Sequence, residues 1–79
     1  MTTFQTAKKN AGSNSSIINV DRDGKPFGQV WTFTTKGEVH GFHAKTLAGA
    51  YKYFDYTPDG TLTPKIKALV AAKAWMEAA

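Results

Sequence analysis

The sequence predicts an α+β fold in which three antiparallel strands, or four, form a meander and two helices pack on one face of the sheet. Two short turns, at Asp23-Gly24 and Lys36-Gly37, separate runs of β-branched and aromatic residues between positions 17 and 44. Both suit two-residue hairpin loops, and Asp-Gly is the stronger signal. Apolar residues recur at helical spacing in two later segments, which predicts the helices.

Treating both turns as two-residue loops fixes the register, since a slip of one residue moves every side chain of a strand to the opposite face. The expected cross-strand pairs are Val20 with Phe27, Ile17 with Val30, Trp31 with Phe42, and Phe33 with His40. The predicted core face consists of Ile18, Val20, Phe27, Trp31, Phe33 and Phe42. The predicted open face consists of Ile17, Asn19, Gly28, Val30, Thr32, Thr34, Val39, Gly41 and His43. In this arrangement Trp31→Ala unfolds the domain.

The first helix is predicted from residue 47 to about residue 56, with Thr46 as its N-cap. Leu47, Ala50, Tyr51 and Phe54 recur at i, i+3, i+4 and i+7, which is the spacing of one helical face.

The second helix is predicted to begin at Thr63-Pro64, because Thr is a good N-cap and Pro suits the first helical position. A Pro58-Asp59-Gly60 turn precedes it, and its apolar stripe includes Ile66, Leu69, Val70 and Met76.

Residues 1–15 are predicted to form a flexible N-terminal arm, and residues 16–79 a single α+β domain. The arm ends in a cluster of Gly, Ser and Asn, which is typical of a loose terminus. Phe4 is its one aromatic residue and supports an alternative, in which the arm adds an edge strand or contacts a partner.

The amino-acid composition excludes several classes of structure and function. The 79 residues include no cysteine, which removes disulfides, thiolate catalysis and Cys-ligated zinc and fits a reducing cytoplasm. No apolar stretch is long enough for a membrane span, and the N-terminus lacks the apolar region of a signal peptide. We therefore expect a cytoplasmic protein.

Neither a metal site nor a catalytic site is expected. Asp21-Arg22-Asp23-Gly24 resembles the start of a calcium loop, but the later oxygen ligands are missing. His40 and His43 are three residues apart, so in a regular strand they point to opposite faces. No nucleophile, base and carboxylate lie in a plausible common site. The chain is thus expected to be no enzyme and to need no cofactor.

The open face is the expected binding surface, with either of two partners. For a protein partner, the contact candidates are Asp21, Arg22, Thr32, Thr34 and His43. For nucleic acid, they are Lys8, Lys9, Asn19, Arg22 and Lys25. The net charge of +4 favours polyanions weakly, and the basic residues are scattered rather than clustered. A protein partner is therefore preferred over nucleic acid, and a structural or accessory protein is the third alternative.

The order of motifs over residues 17–76 resembles that of small phage anti-CRISPR proteins of the type I-F class. The resemblance depends on Asp23-Gly24, Gly37, Tyr53-Phe54 at the end of the first helix, the turn at residues 58–60, and Ile66. It implies a non-enzymatic inhibitor that binds the host CRISPR surveillance complex on its repeated backbone subunit and blocks hybridisation of target DNA.

The same resemblance points to particular positions. In the family, a Tyr before the first turn and a Glu in the second strand bear on the partner, and these positions fall near Asp21 and Thr32 here. A third family residue, a Tyr in the N-terminal stretch, has no counterpart in residues 1–15.

Overall fold

The computed structural model describes residues 1–9, 16–35 and 38–79, except for the side chains of residues 7–9, 34, 35 and 38. Its elements in chain order are β1 (Thr2–Lys9), β2 (Ser16–Arg22), β3 (Lys25–Thr35), β4 (Glu38–Thr46), β5 (Tyr51–Asp55) and α1 (Thr63–Ala78). The strands form one antiparallel sheet in the order β1-β2-β3-β4-β5. The α+β class is confirmed, whereas the described residues contain five strands and one helix rather than three or four strands and two helices.

Strand β1 occupies most of the predicted flexible arm. It pairs with β2, and Phe4 lies opposite Val20 and packs against the core. The N-terminal ammonium also forms an ion pair with Asp23 in the β2–β3 turn. Residues 2–9 thus form an edge strand, as the alternative based on Phe4 has it, while residues 10–15 lie outside the described residues.

The predicted helix over residues 47–56 is wrong, because residues 51–55 form β5 and pair with β4. A tight turn precedes β5, in which Ala50 N–H donates to Thr46 Oγ1 at 3.1 Å and Gly49 has a φ of 104°. Thr46 thus stabilises a turn instead of capping a helix. The aromatic residues of β5 prefer a pleated, half-buried surface, and this preference prevails over the helical spacing.

The β2–β3 turn has the predicted type, with positive φ at Asp23 (53°) and Gly24 (79°). The predicted register beyond it is wrong. A register shift between Val20 and Asp21 makes Gly28, rather than Phe27, the partner of Val20. This β-bulge accommodates one extra residue in β3 and turns the rest of that strand over.

A second register shift lies between Phe33 and Thr34, where β3 pairs with β4. The observed pairs are Ile17 with Trp31, Trp31 with His43, and Phe33 with Gly41. The predicted core positions of Trp31 and Phe33 are therefore wrong, and so are the predicted open positions of Gly28, Val30, Thr32 and Val39. Ile18, Val20, Phe27 and Phe42 do contribute to the core as predicted.

The core lies between α1 and one face of the sheet. Its fully buried large side chains are Phe42, Met76, Val20 and Val30. Helix α1 contributes the small residues Ala68 and Ala72, which allow its backbone to approach β3, β4 and β5 closely. The helix begins where the Thr63-Pro64 signal predicts it, although Leu62 rather than Thr63 is the N-cap residue. No helix of the described chain is long and apolar enough to cross a membrane.

Candidate binding face of the sheet

Five ring side chains meet on the face of the sheet opposite α1, and we call them the aromatic patch. They come from three adjacent strands, because the two register shifts bring outward-pointing positions of β3, β4 and β5 side by side. The patch consists of Trp31, Phe33, His43, Tyr51 and Tyr53.

His43 is the centre of the aromatic patch and touches the four other rings. Its ring is stacked on Trp31 with centroids 5.1 Å apart and planes inclined by 17°. The centroids of Tyr53, Phe33 and Tyr51 lie 4.8, 5.7 and 5.8 Å from that of His43. The imidazole Nδ1 also shares a hydrogen bond with the Tyr51 hydroxyl. These contacts fix the rings in one arrangement while they stay open to solvent: Phe33 is 42% exposed and Tyr51 52%.

Gly41 makes room for the Tyr53 ring to lie across β4. A Cβ at position 41 would lie 2.7 Å from both Tyr53 Cζ and the Phe54 carbonyl oxygen. The Tyr53 hydroxyl reaches the His40 carbonyl oxygen at 3.5 Å. Burial, followed by the charge of Asp55 and by Tyr51, raises the pKa of Tyr53 above its ordinary value. The hydroxyl therefore remains a neutral hydrogen-bond donor throughout the physiological range of pH.

A shallow groove of about 560 Å³ adjoins the aromatic patch at Trp31, and we call it the polar groove. Asn19 and Gln29 form its floor, with the Gln29 amide donating to Asn19 Oδ1 at 3.1 Å. Its other polar side chains include Gln5, Asp21 and Lys45. The open face thus combines exposed rings with amides that can both donate and accept hydrogen bonds.

The open face carries little charge among the side chains that the structure describes. Asp21 and Lys45 line the polar groove, and Asp55 lies opposite Gly41 at the edge of the sheet. Several lysines are instead on α1, at positions 65, 67 and 73. Positive charge is therefore not concentrated on the face that carries the rings.

The structure separates the residues predicted to contact a protein partner. Asp21 and His43 lie on the open face, at the polar groove and in the aromatic patch respectively. Thr32 is on the helix side of the sheet, opposite Phe42, where its hydroxyl accepts a hydrogen bond from Ser16 N–H at 3.0 Å. The side chain of Thr34 lies outside the described residues.

Arg22, predicted as a contact residue for either partner, lies on the helix side. Its guanidinium donates to the carbonyl oxygens of Met76, Glu77 and Ala79 at 2.9, 3.1 and 2.6 Å. It also stacks 3.9 Å from the ring centroid of Phe27. These contacts place Arg22 at the end of α1, on the side of the sheet opposite the aromatic patch.

The predicted nucleic-acid contacts are also dispersed. Asn19 lies in the polar groove, and Lys25 is exposed beside the β2–β3 turn, opposite Arg22. Lys8 and Lys9 are in β1, but their side chains lie outside the described residues. Among the described side chains, Asn19 on the open face is thus on the opposite side of the sheet from Arg22, while Lys25 is the cross-strand neighbour of Arg22.

Sequence reasoning identified His43 but missed the four rings around it. The sequence predicts Trp31 and Phe33 in the core, and Tyr51 and Tyr53 in a helix. Two signals pointed to the patch: the alternation of Trp31 and Phe33 along a strand, and a glycine at position 41, since glycine within a strand often marks a close approach.

Comparison of the chain with protein-family models, with curated proteins and with solved structures found no match. Among the described residues, no group of three or more His, Asp or Glu side chains is placed to hold a metal ion.

Proposed function

We propose that this protein is a non-enzymatic binding module that holds a partner protein on the aromatic patch and the adjoining polar groove. In line with the sequence resemblance, we propose the host CRISPR surveillance complex as the partner, bound in the cytoplasm so that its nucleic-acid target is blocked. The main observation in support of this proposal is that five aromatic rings contact one another on a solvent-facing surface with few charges.

The composition of this face supports a protein partner. Protein interfaces are enriched in Trp and Tyr at their centres and depleted in charged residues. Rings such as Trp31 and Tyr53 offer a large contact area and have few rotatable bonds to immobilise on binding. The contacts around His43 hold them in place before binding, which lowers the entropic cost of association.

The proposal is tested by measuring the affinity of the purified chain for a purified type I-F surveillance complex. We expect a stoichiometric complex that no longer binds target DNA. Trp31→Ala should weaken it by at least about 30-fold, the equivalent of roughly 2 kcal/mol for a residue at the centre of an interface. Val70→Ala is the matched control, since Val70 is 60% exposed on α1 and should leave the affinity unchanged.

Two results would contradict this assignment. One is no binding of the wild-type chain to the surveillance complex, which would remove the proposed partner. The other is equal affinity of Trp31→Ala and wild type, which would remove the proposed face.

Single-stranded nucleic acid is the second candidate, favoured by the near-parallel rings of Trp31 and His43 beside the amides of Asn19 and Gln29. Bases stack on such rings regardless of sequence. Fluorescence anisotropy with labelled oligonucleotides at rising salt tests this candidate. Binding that weakens steeply with salt would support it, because phosphate contacts release counterions. The low charge of the open face makes it the weaker candidate.

A further inference from the structure

The two edge strands of the sheet, β1 and β5, differ in how well they are protected against pairing with another strand. Strand β1 is interrupted by a register shift between Thr6 and Lys8, which discourages pairing with another strand. Strand β5 pairs with β4 without a shift from Tyr51 to Asp55. Three of its five residues are aromatic, and Tyr51 and Tyr53 are 52% and 37% exposed. β5 is therefore the edge open to a further strand.

The hydrogen bonds on either side of β5 show which backbone groups face that edge. Tyr56 N–H donates to the His40 carbonyl oxygen, and Thr46 N–H donates to the Ala50 carbonyl oxygen. Because hydrogen-bonded pairs alternate along an antiparallel ladder, residues 52 and 54 also point their backbone groups toward β4. The backbone groups of Tyr51, Tyr53 and Asp55 therefore point away from the sheet.

We propose that β5 pairs antiparallel with β5 of a second copy of this chain, which joins two five-stranded sheets into one sheet of ten strands. The twofold axis passes beside Tyr53, so Tyr53 lies opposite Tyr53 and Tyr51 lies opposite Asp55. This register keeps open-face residues opposite open-face residues, as pleating requires. It also pairs the three outward-pointing residues with one another, which gives all their N–H and carbonyl groups partners.

The side chains of β5 are complementary in this register. On the helix side, Lys52 of one copy lies opposite Phe54 of the other, and Lys52 Nζ already lies 5.4 Å from the ring centroid of its own Phe54. On the open face, Tyr51 keeps its contact with His43 of its own copy, and the register places its uncharged ring, rather than a second carboxylate, opposite Asp55 of the other copy. The register thus opposes a cation with a ring on the helix side and places no two like charges opposite each other.

A groove of about 440 Å³ between β5 and α1 provides the space that this pairing needs. From the helix, its lining includes the small residues Ala68 and Ala71 together with Pro64 and Lys67. In the proposed register, the helix-side residues of the incoming β5 lie beside this space.

The pairing would make the two aromatic patches continuous. Tyr51 and Tyr53 of each copy would lie on either side of the twofold axis, and the open faces of both sheets would point the same way. The inference rests on the edge strand alone and does not depend on the identity of the bound partner.

Sedimentation velocity of the full chain over a wide concentration range, combined with amide hydrogen exchange, tests the proposal. We expect a monomer–dimer equilibrium in which the amides of Tyr51, Tyr53 and Asp55 gain protection as the dimer forms. The amides of Lys52 and Phe54 serve as internal controls, since β4 protects them in both states. A monomer at every concentration, or a dimer whose edge amides stay unprotected, would overturn the proposal.

A variant test uses Tyr53→Pro, which removes an N–H that faces the free edge and spares the ladder with β4. We expect its dimer to be at least about tenfold weaker, since both central hydrogen bonds are lost. Tyr53→Phe retains the N–H and should dimerise like wild type. A dimer of Tyr53→Pro as tight as that of wild type would place the interface elsewhere.

If circular dichroism shows that Tyr53→Pro is unfolded, Tyr53→Lys replaces it. This change places two ammonium groups opposite each other at the axis and should also weaken the dimer about tenfold, because like charges directly opposite are unfavourable. Unchanged dimerisation of a folded Tyr53→Lys variant would contradict the proposal. Protection of the edge amides only when a different protein is added would show that the occupant is not a second copy.

Discussion

The guanidinium of Arg22 stabilises the end of α1 from across the domain. The last carbonyl groups of a helix have no partners within it and carry partial negative charge. Arg22 supplies a cation and hydrogen bonds to the carbonyl oxygens of Met76, Glu77 and Ala79, and its Nε donates to Thr2 Oγ1 at 3.2 Å. A single side chain thus connects the β2–β3 hairpin, β1 and the helix.

Arg22→Ala is expected to lower the free energy of unfolding by about 2–3 kcal/mol, the range for a charged group with several hydrogen bonds. Arg22→Lys should recover only part of the loss, since an ammonium cannot match the planar fork of a guanidinium. Urea denaturation of the three proteins measures both values. If Arg22→Ala is as stable as wild type, the guanidinium contacts contribute nothing to the fold.

At the scale of the strands, two glycines allow the close approaches on which the sheet depends. Gly28 lies in the bulged part of β3, where an added Cβ would be 2.9 Å from Met76 Cε and 3.0 Å from Thr46 Cα. Gly41 is the corresponding position under the Tyr53 ring on the open face. The two glycines thus control the packing on opposite faces of the same sheet.

Gly28→Ala is expected to cost about 1–3 kcal/mol of stability, because its methyl group would push β4 and the Met76 side chain of α1 away from β3. Thermal unfolding followed by circular dichroism measures the loss. The control is Ala74→Gly, a change of the same single methyl group at an exposed helix position, which should cost about 1 kcal/mol through helix propensity alone. A Gly28→Ala protein as stable as wild type would contradict the packing between β3, β4 and α1.

Gly41→Ala should displace the Tyr53 ring and disrupt the aromatic patch. In nuclear magnetic resonance spectra, the ring protons of Tyr53 and His43 should shift, while those of the helix-side Trp75 stay in place. Unchanged Tyr53 and His43 resonances would mean that the ring does not lie across β4.

For the whole molecule, the hairpin signal of Asp23-Gly24 correctly predicted the β2–β3 turn, and Thr63-Pro64 correctly predicted where α1 begins. Both signals depend only on residues that are neighbours in the sequence, so contacts with distant parts of the chain do not alter the structures that they predict. The β-bulge at Phe27-Gly28 depends instead on how β3 packs on β2 and α1, so the neighbouring residues alone do not predict it. Because the predicted register lacks this one extra residue, it places Trp31 and Val30 on the wrong faces of the sheet.

Strand β5 illustrates a second limit of sequence reasoning. Short apolar segments such as residues 51–54 fit a helical stripe and an alternating strand about equally well. Pairing with β4 decides between them, and that pairing depends on residues far away in the sequence. The aromatic patch could not be predicted without β5, because two of its five rings belong to that strand.

The rings of Trp31 and its neighbours lie on the open face of the sheet, whereas Phe42 belongs to the core. The most direct test compares the melting temperatures of Trp31→Ala and Phe42→Ala with that of wild type. Phe42 is 2% exposed, so Phe42→Ala should cost about 3–5 kcal/mol and leave little or no folded protein. Trp31→Ala should cost at most about 1 kcal/mol, the value of a cross-strand pair, and lower the melting temperature by less than about 8 °C. A Trp31→Ala variant that unfolds, beside a Phe42→Ala variant that melts like wild type, would reverse the two faces and contradict the account.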